Sequence, residues 1–174
     1  MSGVRYPDGW RVELLDKSHN RKSFRCGQAQ AESWLKKSAL QSQKKHLSST
    51  KVLLDADAHL VGYYTLATSQ VDFSDLPAEL ARSLPQQRLP VAVLAWLGVA
   101  SSFQRRGIGQ RLLATALKDC LDASQTFSFI AVILDCVDES SKQFYQRFDF
   151  ATLPGYPMRM YLPFKTLQQM AKKT

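Results

Sequence analysis

The sequence predicts a single-domain α/β (α+β) fold, and three observations predict it. Residues 91–99 are an uninterrupted apolar run, about the length of a strand covered on both faces, that ends at a glycine-bearing turn and passes into a helical pattern. Residues 130–137 repeat the arrangement, a second apolar run followed by a short helix at 139–147. Upstream, residues 51–55 and 59–67 alternate and are joined through Asp55-Ala56-Asp57-Ala58, which reads as a hairpin.

The remaining elements follow in order. Residues 10–15 alternate as a first strand. Residues 28–47 place Ala31, Trp34, Leu35 and Ala39 on one helical stripe, so a helix is expected there, with room for one break. Residues 72–90 form a loop rich in Pro and Ser, in which Pro77 opens a short helix to about residue 82. The helix at 107–122 keeps Leu112, Leu113, Ala116, Leu117 and Cys120 at the spacing that packs on a sheet. Residues 149–153 and 157–162 read as the last two strands, and 163–173 as a terminal helix or tail.

Composition sets the bounds. At 174 residues and 45% hydrophobic, residues 1–174 suffice for one domain with its own core. No run approaches the roughly 18 apolar residues of a membrane span, and the N-terminus lacks the apolar stretch of a signal peptide, so a cytoplasmic protein with no membrane partner is expected. Cys26, Cys120 and Cys136 are odd in number and lack metal-type spacing; they read as small buried residues, and with His19, His46 and His59 scattered no metal site is read. The net charge is +8, and residues 1–50 hold ten Lys or Arg against four Asp or Glu. Lys36, Lys37, Lys44 and Lys45 lie off the apolar stripe of their helix. Such a run is either a solvated face or a surface that attracts a polyanion, nucleic acid or the phosphates of a cofactor.

The turn after the central strand reads Gln104-Arg105-Arg106-Gly107-Ile108-Gly109. Gly107 and Gly109 remove the Cβ atoms that would keep a bulky anion away, and the N–H groups at a helix start are unsatisfied within the helix. A pyrophosphate fits such a turn, helped by the helix dipole and by Arg105, Arg106 and Arg111. Alone, the same pattern also suits a tight connection with no ligand.

A strand, this turn and helix, a second strand, and a helix with a tyrosine near its end together resemble the core of the GNAT acetyltransferases. The family's phosphate motif is met at Gln104, Gly107 and Gly109, and its late segment is approximated by residues 141–150, with Phe144-Tyr145 and Phe148-Asp149-Phe150. An ordered set of softer features resembles one branch, the GNAT toxins of bacterial toxin–antitoxin pairs, which acetylate the free amine of aminoacyl-tRNA. These features are Phe24-Arg25-Cys26-Gly27, Trp34-Leu35, residues 61–67, Leu76-Pro77 and Leu89-Pro90-Val91, and the resemblance as a whole covers about residues 10–165. Taken singly, Phe24 and Cys26 could equally be core residues before a helix.

The resemblance implies a GNAT fold: a central mixed, mostly antiparallel sheet, splayed between its fourth and fifth strands and flanked by helices. It implies acetyl-CoA as cofactor, its pantetheine arm along Leu97, Gly98 and Val99, with an N–H near Val99 polarising the thioester carbonyl. Its pyrophosphate would lie on Gln104, Arg105, Arg106, Gly107, Ile108, Gly109, Gln110 and Arg111. Tyr145 would stand beside the sulfur; a phenol with an ordinary pKa of about 10 stays protonated at neutral pH and can donate to the departing thiolate as general acid. Lys36, Lys37, Lys44, Lys45 and Trp96 would face the acceptor. The implied partners are aminoacyl-tRNA as substrate, a ribbon-helix-helix antitoxin, and a second copy in a homodimer.

The acceptor can be narrowed by chemistry. Many GNAT enzymes carry a carboxylate base on the central strand, yet residues 91–100 contain no ionisable side chain. A lysine ε-amine, with a pKa of about 10.4, would need such a base, whereas an α-amine starts at about 7.7–8.0 and is lowered further by an adjacent ester. The bare strand therefore favours aminoacyl-tRNA. Against it, Trp96 stands where the resembling toxins carry Arg; Asp149 in place of a Gly matters less, because Asp tolerates the left-handed conformation, and Ser141 in place of an Ala is neutral. The competing readings are acetylation of a small amine, a peptide or a protein amine, and a catalytically silent GNAT domain that binds CoA or a protein.

Overall fold

The computed structural model describes residues 3–173. The strands are β1 (Arg11–Leu14), β2 (Ser49–Leu54), β3 (Leu60–Asp72), β4 (Arg88–Val99), β5 (Ala131–Asp135), β6 (Ala151–Leu153) and β7 (Tyr156–Pro163). The helices are α1 (Ala29–Ser33), α2 (Ala39–Lys44), α3 (Ala78–Ala81), α4 (Ile108–Ala123), α5 (Glu139–Gln146) and α6 (Phe164–Lys172). The strands form one mixed sheet in the order β1-β2-β3-β4-β5-β7-β6. The β4–β5 ladder is parallel and two pairs long, Ala92↔Val132 and Val93↔Ile133, against five antiparallel pairs between β5 and β7. This is the mixed, mostly antiparallel sheet that the resemblance implies.

By contacts the chain divides into two compact units, residues 3–67 with 94–117, and residues 68–93 with 118–173; the boundaries fall inside β3, β4 and α4. In the first unit the core is Leu15, Phe24, Leu35, Ala39, Val52, Leu54 and Tyr63, with Trp34 and Trp96 at its margin. Gly62 is what allows β3, β4 and α4 to meet: a Cβ there would lie 2.8 Å from the Gly98 carbonyl oxygen and 3.1 Å from the Leu112 side chain. In the second unit Val91, Ile133, Leu153 and Tyr161 form the core.

The helix expected at 28–47 is interrupted, as its pattern allowed. Between α1 and α2, Trp34–Ser38 is a π-helical segment, and Ser38 leaves helical geometry at φ −124°. The Arg21 guanidinium donates to the Leu35 carbonyl at 3.0 Å, satisfying an acceptor where the helical ladder changes. Two strands run longer than their sequence patterns: β3 continues to Asp72 and β4 begins at Arg88. Pro90 costs β4 an N–H donor, but its carbonyl still accepts from Ile130 at 2.9 Å.

Candidate active site

In the first unit the candidate cradle is the turn between β4 and α4. Arg105 and Gly107 have left-handed backbones, φ 64° and 76°, and nothing lies within 4 Å of where a Gly107 Cβ would stand. Gly107 therefore serves both conformation and open space, whereas Gly109 already sits in the first turn of α4. The first turn-spanning bond runs from the Arg111 N–H to the Gly107 carbonyl, 3.2 Å. Among the described residues, nothing accepts from the N–H groups of Arg105, Arg106, Gly107, Ile108, Gly109 and Gln110. Six consecutive free donors, beside exposed Arg105, Arg106 and Arg111, fit a pyrophosphate. The Arg106 guanidinium rests over the Phe103 ring, 5.4 Å from its centroid, and Phe103 in turn meets Trp10 edge-on.

Gln104 works differently from its neighbours. Its side-chain amide donates to the Cys26 carbonyl at 2.7 Å and the Val99 carbonyl at 2.9 Å, so it is committed to the protein. The sequence reading placed Gln104 on the pyrophosphate; the geometry makes its side chain a strut that ties the turn to the end of β4 and to the loop before α1. Ser101 adds a second tie, its N–H donating to the Arg25 carbonyl at 2.7 Å.

On β4, Ala100 donates its N–H to the Val61 carbonyl at 2.7 Å. Because backbone groups alternate along a strand, the N–H and carbonyl of Val99 point away from β3. There the Val99 carbonyl is held by Gln104, and the Val99 N–H points to the same side. Gly98 is buried, and a Cβ on it would stand 3.0 Å from the Tyr63 ring and 3.7 Å from the Cys26 Sγ. Leu97 and Val99 are half-buried.

The loop before α1 packs into the core. Phe24 and Cys26 are buried, Phe24 meets Tyr63 edge-on, and the Tyr63 hydroxyl donates to the Ala31 carbonyl at 2.7 Å. The Glu32 carboxylate accepts from the N–H groups of Cys26 and Gly27, 3.0 and 3.1 Å, and the Cys26 N–H bond leads in holding its carboxyl below the usual carboxylate range. Burial pushes the Cys26 thiol up, so it is no ready base.

On the interrupted helix Lys37, Lys44 and Lys45 are exposed, while Lys36 is half-buried. Lys36 closes a hollow of about 570 Å³ with Lys17, Arg21 and Lys22, a cationic loop additional to the lysines of the helix. Its signal was present in the basic excess of residues 1–50. Trp96 stacks on Trp34, ring centroids 5.8 Å apart and planes 16° from parallel.

In the second unit Tyr145 is buried near the end of α5, edge-on to Phe144 at 5.1 Å and Phe150 at 5.6 Å. The Asp138 side chain caps α5, accepting from the Ser141 N–H at 2.8 Å. At the other end Asp149 takes the left-handed conformation, φ 68°, which turns Phe150 back so that its N–H reaches the Tyr145 carbonyl at 3.4 Å. Burial first, and then Cys136, raises the Tyr145 phenol well above its ordinary value. Its hydroxyl has no hydrogen-bond partner among the described residues. It is a neutral, uncommitted donor.

Among the described residues one group, Asp55, Asp57 and His59, brings its ligand atoms within 4.8 Å of one another. Asp55 there closes the β2–β3 turn, accepting from the N–H groups of Asp57 and His59 at 2.9 and 2.8 Å. All three cysteines are free and buried. No helix among the described residues is long and apolar enough to cross a membrane.

Residues 13–150 match the model of the acetyltransferase (GNAT) family. The chain belongs to that family. This GNAT-family acetyltransferase is 31% identical over 143 residues, 82% of its length and 85% of the relative's, to a tRNA-acetylating toxin of Mycobacterium tuberculosis. Its fold matches AtaT complexed with acetyl-methionyl-tRNAfMet, with TM-score 0.85 and 21% identity over 93% of this chain and 99% of that one. It also matches a mutant AtaT toxin bound to the C-terminus of the antitoxin AtaR and acetyl-CoA, with TM-score 0.80 and 20% identity over 95% and 99% of the two chains.

Proposed function

We propose that residues 1–174 work as one acetyl-CoA-dependent N-acetyltransferase domain that acetylates the α-amine of aminoacyl-tRNA and so blocks translation. The observation that carries this reading is β4: between Val91 and Ala100 no side chain ionises, so the site suits an amine that is already largely neutral. The identity to a tRNA-acetylating toxin supports the same acceptor.

When bound, acetyl-CoA supplies the activated acetyl group. The free N–H groups of residues 105–110, with Arg105, Arg106 and Arg111, hold its pyrophosphate; Gln104 keeps the turn fixed to β4. The backbone of Leu97, Gly98 and Val99 would align the pantetheine arm, and the Val99 N–H would be the donor available to polarise the thioester carbonyl. By the family resemblance Tyr145 would be the residue to protonate the departing thiolate, a role suited to a phenol that burial keeps protonated. The Lys-bearing helix guides the polyanionic acceptor. We further infer a cytoplasmic homodimer whose partner is a ribbon-helix-helix antitoxin; that AtaT is found bound to the C-terminus of an antitoxin supports a partner of this kind. The second reading, acetylation of a small amine, draws on Trp96, an indole where the resembling toxins place a cation.

The test is to incubate the protein with radiolabelled acetyl-CoA and the same tRNA, charged or uncharged. Label on charged tRNA alone is expected. Label on neither, with turnover of a polyamine or peptide amine, would transfer the assignment to the second reading.

A further inference from the structure

Resting on the aminoacyl-tRNA reading, we propose that the Trp34–Trp96 stack is the wall that selects the aminoacyl side chain, and that it favours a large apolar residue over glycine. Trp96 lies on β4 next to Leu97, but its side chain leaves the other face of the strand. It shares the face of Gly98, where Cys26 and Tyr63 pack.

Trp34 is a fixed support. Its indole N–H donates to Thr65 Oγ1 at 3.0 Å, and Thr65 Oγ1 is bonded to Thr50 Oγ1 at 2.7 Å. The Thr50 N–H donates to Gln43, whose amide reaches back to the Leu15 carbonyl at 2.7 Å, so the chain of bonds runs from α2 to β3. Trp96 rests on this held ring. Both indoles keep open surface, and the Trp96 N–H has no partner among the described residues.

A cation in this place would pair with a phosphate shared by every tRNA, and so would bind without selecting. An indole cannot. Its flat apolar surface gains from each methylene laid against it, and that gain differs between amino acids. A stiff stacked pair also loses little freedom on binding, because one of its rings is already pinned.

The experiment charges one tRNA body in turn with glycine, alanine, leucine and phenylalanine, using an acylating ribozyme, and measures kcat/KM for acetylation of each. Wild type should favour leucine or phenylalanine over glycine by roughly 10- to 100-fold, the range that apolar pockets achieve. Trp96→Ala should bring the ratio close to one, chiefly by slowing the large substrates, while Trp96→Phe should keep most of it. Loss of the same factor on all four substrates would overturn the proposal, since a residue that only supports the fold, or that stacks on the shared terminal adenine, acts on all alike. A wild type that favours glycine would overturn it too. If no charged tRNA is acetylated although acetyl-CoA binds, the underlying reading falls and takes this inference with it.

Discussion

The turn at residues 104–110 and the interrupted helix at 29–44 are both assigned to anions, yet they are built from different material. The turn offers backbone N–H groups whose direction is fixed by the chain itself, with Gly107 at φ 76° and Gln104 anchoring its entry. The helix offers flexible ammonium groups: Lys36 and Lys37 lie on the π-helical segment itself, Lys44 ends α2 and Lys45 follows it. The difference teaches that a backbone site is specific and brittle, while a side-chain site is tolerant and additive. One wrong Cβ should damage the first; no single lysine should abolish the second.

The largest effect should come from a residue that belongs to neither. Tyr145→Phe leaves both anion sites intact and removes one hydroxyl, so kcat should fall by about 10² to 10⁴ while the acetyl-CoA dissociation constant stays unchanged by calorimetry. The pH dependence follows the raised phenol. The wild-type rate should rise as the acceptor amine deprotonates and should not fall near pH 10, where an ordinary phenol would begin to lose its proton. The sign for stability is the reverse: above about pH 10 the unfolded chain gives up this proton and the folded one retains it, so stability declines as pH rises. An unaltered kcat in the variant, with chemistry rate-limiting, would return Tyr145 to a packing role.

Gly107→Val breaks the backbone site. A β-branched residue at φ 76° costs roughly 1–2 kcal/mol in conformation alone, so cofactor affinity should drop about tenfold or more as the donors lose alignment. Affinity within twofold of wild type would show that the six N–H groups do not hold the pyrophosphate.

The same contrast explains what the sequence disclosed. The strand, turn and helix of the cradle are local, so glycine spacing and apolar runs made them legible, and Asp149 at φ 68° stands where its tolerance for that conformation suggested. What stayed hidden depends on partners far along the chain. Gln104 looks like a ligand until its amide is seen on Cys26, 78 residues away. Trp34 and Trp96 meet only once β4 lies beside the helix, and no pattern in either segment announces the other. The basic loop at residues 17–22 gave a charge count but no direction, because only the fold brings it to Lys36.

The smallest effects should come from the lysines singly. Lys37, Lys44 and Lys45 are exposed and Lys36 is half-buried beside Lys17, Arg21 and Lys22. If the helix face guides tRNA, each of Lys37→Ala, Lys44→Ala and Lys45→Ala should weaken tRNA binding by roughly tenfold or less at about 0.1 M salt and reduce the salt slope by about one, because one fewer counterion is released. Acetyl-CoA affinity should not move in any of them. Measured by fluorescence anisotropy across a salt series, equal and additive changes would confirm a continuous face. A slope that changes for Lys36→Ala and Lys17→Ala but stays at the wild-type value for Lys44→Ala and Lys45→Ala would break the assignment in a useful way. It would show that the interrupted helix is divided functionally, with the acceptor's phosphates held at the basic hollow beside the π-helical segment, and with Lys44 and Lys45 at the far end of α2 merely solvated.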